Sequence, residues 1–158
     1  MNIHPLDEKF NKAFEKLFCD YYTEIDCEDD PLPLSREAIE DCKAGLLSVA
    51  VAEEDGEALG FIIYQIDDII NDWCFFEGAG DIRELYIAPQ FRRRGVATEL
   101  VLFAESELKR QGAATVYTLP TEESEKFFEK VGYFDGGDYC PELDNKVYTK
   151  NIDKTDIL

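Results

Sequence analysis

Positive charge is scarce in this sequence. Sixteen Lys and Arg stand against thirty-five Asp and Glu, a formal net charge of −19 at pH 7. Binding a phosphate backbone needs a basic face, so this balance argues against nucleic acid as a general partner. It also disfavours anionic membrane surfaces. No apolar run is long enough to span a bilayer. The opening MNIHPLDEKF has no apolar h-region, so no secretory leader is expected. His4 is the one histidine; with no ligand pattern around it, it receives no role and no metal site is expected. Five cysteines, Cys19, Cys27, Cys42, Cys74 and Cys140, are odd in number and form no C-x-x-C pair. Reduced thiols in a cytoplasmic protein are the simplest reading. Internal repeats and low-complexity tracts are missing too.

What remains has the composition of a globular chain, and 158 residues is the length of one domain. Residues 2–5 read as a short strand. From Asp7, the residues Phe10, Phe14, Leu17, Phe18 and Tyr21 recur at helical spacing. This aromatic stripe is expected to be core, with parts of it available to line a pocket. A charged loop, Asp26–Asp30, is closed by Pro31 and Pro33. Ser35 is the predicted N-cap of a second helix carrying Ala38, Ile39, Cys42 and Leu46, with Gly45 weakening its last turn. Leu47–Glu53 and Ala58–Ile66 read as a hairpin around Glu54-Asp55-Gly56. Asp67–Gly80 is expected to be extended strand ends and a long connection, with Ile69, Ile70, Trp73, Phe75 and Phe76 scattered among acids. Ala113–Leu119 reads as a strand and Thr121 as the N-cap of a helix that Gly132 ends. Tyr133–Cys140 and Lys146–Ile152 make a last strand pair, and Asp153–Leu158 a frayed tail.

One stretch stands apart. Asp81–Gly112 reads as a strand, a sharp turn at Ala88-Pro89 and a long helix whose apolar stripe is Ala97, Leu100, Val101, Ala104 and Leu108. Gly112 supplies a left-handed stop. Arg92, Arg93 and Arg94 lie where that helix begins. A helix N-terminus is already partly positive, so each cation there is unfavourable by roughly 0.3–1 kcal/mol. Three arginines at that place point to a bound anion. Gly95 permits close backbone approach and Ala97 is small, which together suit a phosphate or pyrophosphate cradle.

Arg92-Arg93-Arg94-Gly95-Val96-Ala97 fits R/Q-x-x-G-x-G/A, and the chain thereby resembles the GCN5-related N-acetyltransferase (GNAT) family. Glu84-Leu85-Tyr86-Ile87-Ala88-Pro89 looks like that family's fourth strand. Thr121–Tyr133, TEESEKFFEKVGY, is similar to its fourth helix, with Phe127, Glu129, Lys130 and Gly132 matching. Thr121 replaces the usual asparagine, Ser124 the usual alanine, and Phe128 stands where a tyrosine is usual. The resemblance implies an α/β fold over residues 1–158, a single GNAT-type domain with a mixed sheet of about six or seven strands flanked by about four helices.

It further implies transfer of an acetyl group from acetyl-CoA to an amine by direct attack. In the family, backbone groups of the fourth strand hold the pantetheine arm, here Leu85, Tyr86 and Ile87, with the Ile87 N–H nearest the thioester carbonyl. Pyrophosphate would sit on amides from Arg92 to Thr98, that is Arg92, Arg93, Arg94, Gly95, Val96, Ala97 and Thr98, with Phe128 in the remaining cofactor-contact position. The base is left between Glu84 and Asp81, which strict alternation puts on opposite faces. Phe128 cannot protonate the leaving thiolate, so the general acid stays open. Tyr117, Tyr133 and Tyr139 are near in sequence, and each is first a core or sheet residue. The acidic loop Asp26, Glu28, Asp29, Asp30 would favour a cationic acceptor such as a polyamine, an aminoglycoside or a lysine-bearing peptide. Homodimers are common in the family. The alternative is a module of the same fold that binds CoA or acyl-CoA and transfers little.

Overall fold

The computed structural model describes residues 1–71 and 74–153. Trp73 and all but the first residue of the expected frayed tail lie outside them. In chain order the elements are β1 (Asn2–Pro5), α1 (Asn11–Glu24), α2 (Pro31–Lys43), β2 (Ser48–Glu54), β3 (Glu57–Ile66), β4 (Gly80–Ile87), α3 (Val96–Arg110), β5 (Thr115–Thr118), α4 (Glu125–Lys130), β6 (Phe134–Cys140) and β7 (Asn145–Asn151), with short 3-10 turns at Glu8–Phe10 and Pro89–Phe91. Seven strands form one sheet in the order β1-β2-β3-β4-β5-β7-β6. β4 and β5 are parallel, a pairing that requires a crossover, and α3 provides it. The mixed α/β architecture expected of the sequence, a sheet of seven strands flanked by helices, is what the chain adopts.

Two compact units divide the chain, Met1–Tyr64 with Glu84–Ala104, and Gln65–Arg83 with Glu105–Leu158. In the first unit the stripe of α1 is core, as its spacing predicts. Phe10, Phe14, Leu17 and Phe18 are buried with Ile39, Val51, Phe61, Ile63 and Tyr86. Phe14 meets Phe61 edge to face at 5.0 Å, and cutting Phe14 to alanine should cost about 3–5 kcal/mol. The hairpin of β2 and β3 turns at Asp55 and Gly56, both in the left-handed region (φ 52 and 82) that this turn type needs. Gly60 of β3 lets β4 come close: a Cβ there would lie 2.5 Å from the Tyr86 carbonyl oxygen.

Four local expectations are corrected. Asp30, not Ser35, caps α2; its carboxylate accepts the Leu32 N–H at 3.1 Å. Pro31 and Pro33 lie inside the first turn, where a missing N–H breaks no helical bond. Ser35 is buried, and its hydroxyl donates to the Leu32 carbonyl at 2.7 Å. The helix ends at Lys43, so Gly45 and the exposed Leu46 lie beyond it. Thr121 is not the N-cap of α4; its hydroxyl goes to Ser124 Oγ at 3.1 Å, and the helix starts at Glu125.

The fourth correction, like that at Thr121, lies in the second unit. Between β3 and β4 the expected long connection is present, but its described part is a loop of turns closed on Asp67 and not extended strand ends. The Asp67 N–H bonds the Ala79 carbonyl and the Gly78 N–H bonds the Asp67 carbonyl, both at 2.8 Å. The carboxylate of Asp67 accepts the N–H groups of Phe75 and Phe76 and the Tyr117 hydroxyl, at 2.7–2.8 Å. One carboxylate therefore does what a strand ladder would have done for this backbone.

Candidate active site and anion-binding loop

The site in the first unit is built from the second half of β4, the loop after it, the start of α3 and the last turns of α1. The ladder between β4 and β5 pairs Gly80–Ile82 with Val116–Thr118, and among the described residues it goes no further. Just past β4 the Ala88 N–H bonds the Leu59 carbonyl of β3 at 2.9 Å. Backbone groups alternate along an extended chain, so those of Leu85 and Ile87 point to the opposite edge from β3. Tyr86 and Ile87 are buried and Leu85 is half-buried.

Glu84 is half-buried, and its Oε2 accepts the Tyr21 hydroxyl at 2.5 Å. Burial, followed by the Glu84 charge, pushes the Tyr21 phenol far above its ordinary value. Tyr21 therefore remains a donor throughout the working pH range. Its ring packs against Tyr86 at 5.3 Å and Phe61 at 6.2 Å. Tyr86 is itself pushed up to about 12, by burial first and then by Glu24.

The arginines divide by what their side chains meet. Arg92 donates twice to the Glu24 carboxylate, both bonds at 2.7 Å, and from Nε to the Ile87 carbonyl at 2.9 Å. Its guanidinium also covers the Tyr86 ring at 5.5 Å. Arg94 pairs with Glu54 at 3.0 Å. Arg93 is exposed, lies in the left-handed region at φ 64, and has no partner among the described residues. Gly95 follows at φ 80 with nothing within 4 Å of where a Cβ would be. The first helical bond of α3 runs from Glu99 N–H to the Gly95 carbonyl at 3.1 Å. Among the described residues, the N–H groups of Gly95, Val96, Ala97 and Thr98 have no protein acceptor. Four free amides, an unpaired arginine and open space beside Gly95 form a cradle an anion fits.

The acetyltransferase (GNAT) family model matches residues 11–133, which contain all of this apparatus. The chain belongs to the GNAT family. Its fold is similar to that of an aminoglycoside 6′-N-acetyltransferase solved with coenzyme A, at TM-score 0.73 and 20% identity over 96% of this chain and 97% of that one. The aminoglycoside 6′-N-acetyltransferase of Enterococcus faecium gives 0.72 and 18% over 96% and 97%. Tetrahymena GCN5 gives 0.70 and 12% over 99% and 100%. At such identities the likeness is one of fold. No curated protein matches the sequence.

The remaining sequence-derived GNAT positions lie in the second unit. Asp81 is 1% exposed and is paired in register with Tyr117 across β4 and β5. Burial, then the Asp81 charge, pushes the Tyr117 phenol far up. Phe128 is buried in α4, edge to face with Tyr133 at 5.4 Å. The Tyr133 hydroxyl donates to Glu105 at 2.9 Å, and Lys150 donates to the same carboxylate at 2.8 Å. Tyr139 is half exposed on β6. No group of acids, cysteines and histidines suited to a metal occurs among the described residues, and no described helix is long and apolar enough to cross a membrane.

Sequence reasoning missed three residues. Tyr21 was visible only as a member of the core stripe. Glu24, which holds Arg92, lies 68 positions before it. Asp67, the hub of its loop, left no signal, because hydrophobic periodicity cannot mark a buried acid.

Proposed function

We propose that this GNAT-family chain, residues 1–158 acting as one domain, is an acetyl-CoA-dependent N-acetyltransferase whose acceptor is a cationic amine. The observation that carries the reading is the free-amide cradle at Gly95–Thr98 with Arg93 beside it, which suits the pyrophosphate of CoA. A fold neighbour solved with coenzyme A supports it. Bound acetyl-CoA supplies a thioester carbon that the amine nitrogen attacks, the C–N bond forming as the C–S bond breaks.

The residues of this chain act around that exchange. Backbone groups of Leu85 and Ile87 hold the pantetheine arm, and the Ile87 N–H polarises the thioester carbonyl. The Ile87 carbonyl is taken by Arg92, so the arginine stiffens the end of β4 instead of meeting phosphate. Glu84 accepts the proton that the amine loses, directly or through one water. The leaving thiolate takes its proton from solvent, because Phe128 has none to give. Exposed acids in the loop between α1 and α2, Asp26, Glu28 and Asp29, draw a polyamine, an aminoglycoside or a lysine-bearing peptide toward the site. The names of two fold neighbours favour testing aminoglycosides first. Five free thiols suit the reducing cytoplasm as its location.

The second reading, a module that binds CoA or acyl-CoA without transfer, is favoured by Phe128 at the usual tyrosine position. Thermal-shift titration with CoA and acetyl-CoA tests what the two share; stabilisation is expected, and no shift at millimolar ligand contradicts both. Amine-dependent thiol release across the three acceptor classes separates them. Release with at least one amine supports the transferase, and none with any amine supports the binding module.

A further inference from the structure

The hydroxyl of Tyr21 crosses 63 positions of sequence to reach Glu84. The ring that carries it is fixed independently of that bond. Tyr22 packs on it at 5.7 Å, Phe61 at 6.2 Å and Tyr86 at 5.3 Å, so aromatic contacts from α1, β3 and β4 decide where the oxygen lies. A donor held in place beforehand loses little entropy on bonding, and a single carboxylate rotamer is then preferred. A short bond from a neutral hydroxyl also stabilises the ionised carboxylate over its protonated form.

We infer that Tyr21 is a positioning residue for the transfer reaction: its hydroxyl holds the Glu84 carboxylate in one orientation and keeps it ionised to receive the amine proton. The inference rests on the reading of Glu84 as the base. Neighbouring elements bring further groups to this face. β3 brings the apolar Phe61 and Ile63. α1 adds Tyr22 and Glu24, and the Glu24 charge is held by Arg92. β4 itself adds Tyr86, and Arg83 on the alternate face. α2 turns Ser35, Ala38 and Ile39 to this core, with Cys42 packed at its margin.

The experiment compares wild type, Tyr21→Phe, Glu84→Gln and the double variant. Tyr21→Phe keeps the ring and removes only the oxygen, and an unchanged thermal shift with acetyl-CoA shows that the fold and donor site persist. In amine-dependent thiol release, Tyr21→Phe should lower kcat about tenfold. It should also move the acidic limb of the kcat/KM profile upward by roughly half to one pH unit. In the Glu84→Gln background the same change should do nothing further. An unmoved limb, or an equal loss in both backgrounds, overturns the inference.

Carboxyl 13C NMR of Glu84, assigned by its loss in Glu84→Gln, supplies a readout that needs no turnover. Its titration midpoint should rise in Tyr21→Phe, and an unchanged midpoint also overturns the inference. A risen midpoint in a protein with no transfer to any amine would retain the Tyr21–Glu84 coupling and reject the transferase reading instead. If the phenylalanine variant fails to fold, the titration is made in protein carrying 3-fluorotyrosine, whose more acidic phenol is a stronger donor. The midpoint should then fall, and no movement overturns the inference.

Discussion

Glu84 and Asp81 are three positions apart on one strand and have different surroundings. Glu84 is half-buried and accepts the neutral Tyr21 phenol. Asp81 is 1% exposed, beside a tyrosine whose own hydroxyl is committed to Asp67. A base must exchange its proton with an acceptor or with water, and a carboxylate sealed from solvent has no such route. Like chemistry on neighbouring positions is thus separated by burial, and accessibility favours Glu84 over Asp81 for the proposed proton transfer.

The sharpest way to break this contrast is to remove each carboxylate in turn. Glu84→Gln should lower kcat by about a hundredfold with little change in the KM for acetyl-CoA. A steady-state comparison measures both constants. Changing the cradle should act on binding instead. Gly95→Val demands φ 80 of a β-branched residue and fills open space, so CoA affinity measured by calorimetry should fall about tenfold or more. Asp81→Ala should leave kcat per folded molecule within about threefold and cost about 1–3 kcal/mol in urea unfolding, because it opens a buried polar site.

Legibility in the sequence follows the range of the cause. α1, the hairpin and α3 were readable because periodicity, turn residues and the Arg92–Ala97 pattern are local. The cap of α2 was misplaced because Asp30 and Ser35 are both good cap residues, and two prolines look like a loop when they in fact occupy a first turn. Glu84 could be named from its place before Leu-Tyr-Ile, whereas the difference in burial between it and Asp81 is fixed only by tertiary packing. Tyr21 and Asp67 were out of reach for the same reason: each acts on a partner about fifty or more positions away.

Smaller effects sharpen the contrast between arginines. Arg93→Ala should raise the Kd for CoA about three- to tenfold, less at high salt. Arg92→Ala should act mainly on stability. The Arg92 hydrogen bonds hold the Glu24 carboxyl below the usual range. That pair therefore contributes fully above the unfolded carboxylate value of about 4.3, and its contribution fades as pH falls through the depressed folded value. Wild type should lose more Tm than Arg92→Ala on acidification below that point, by a small margin because the pair is largely solvent-screened.

The pH dependence of kcat/KM for thiol release, measured on Glu84→Gln and Asp81→Asn beside wild type, tests the account most directly. Wild type and Asp81→Asn should share one acidic limb, and Glu84→Gln should lack it. A limb that survives in Glu84→Gln and vanishes in Asp81→Asn would contradict the account.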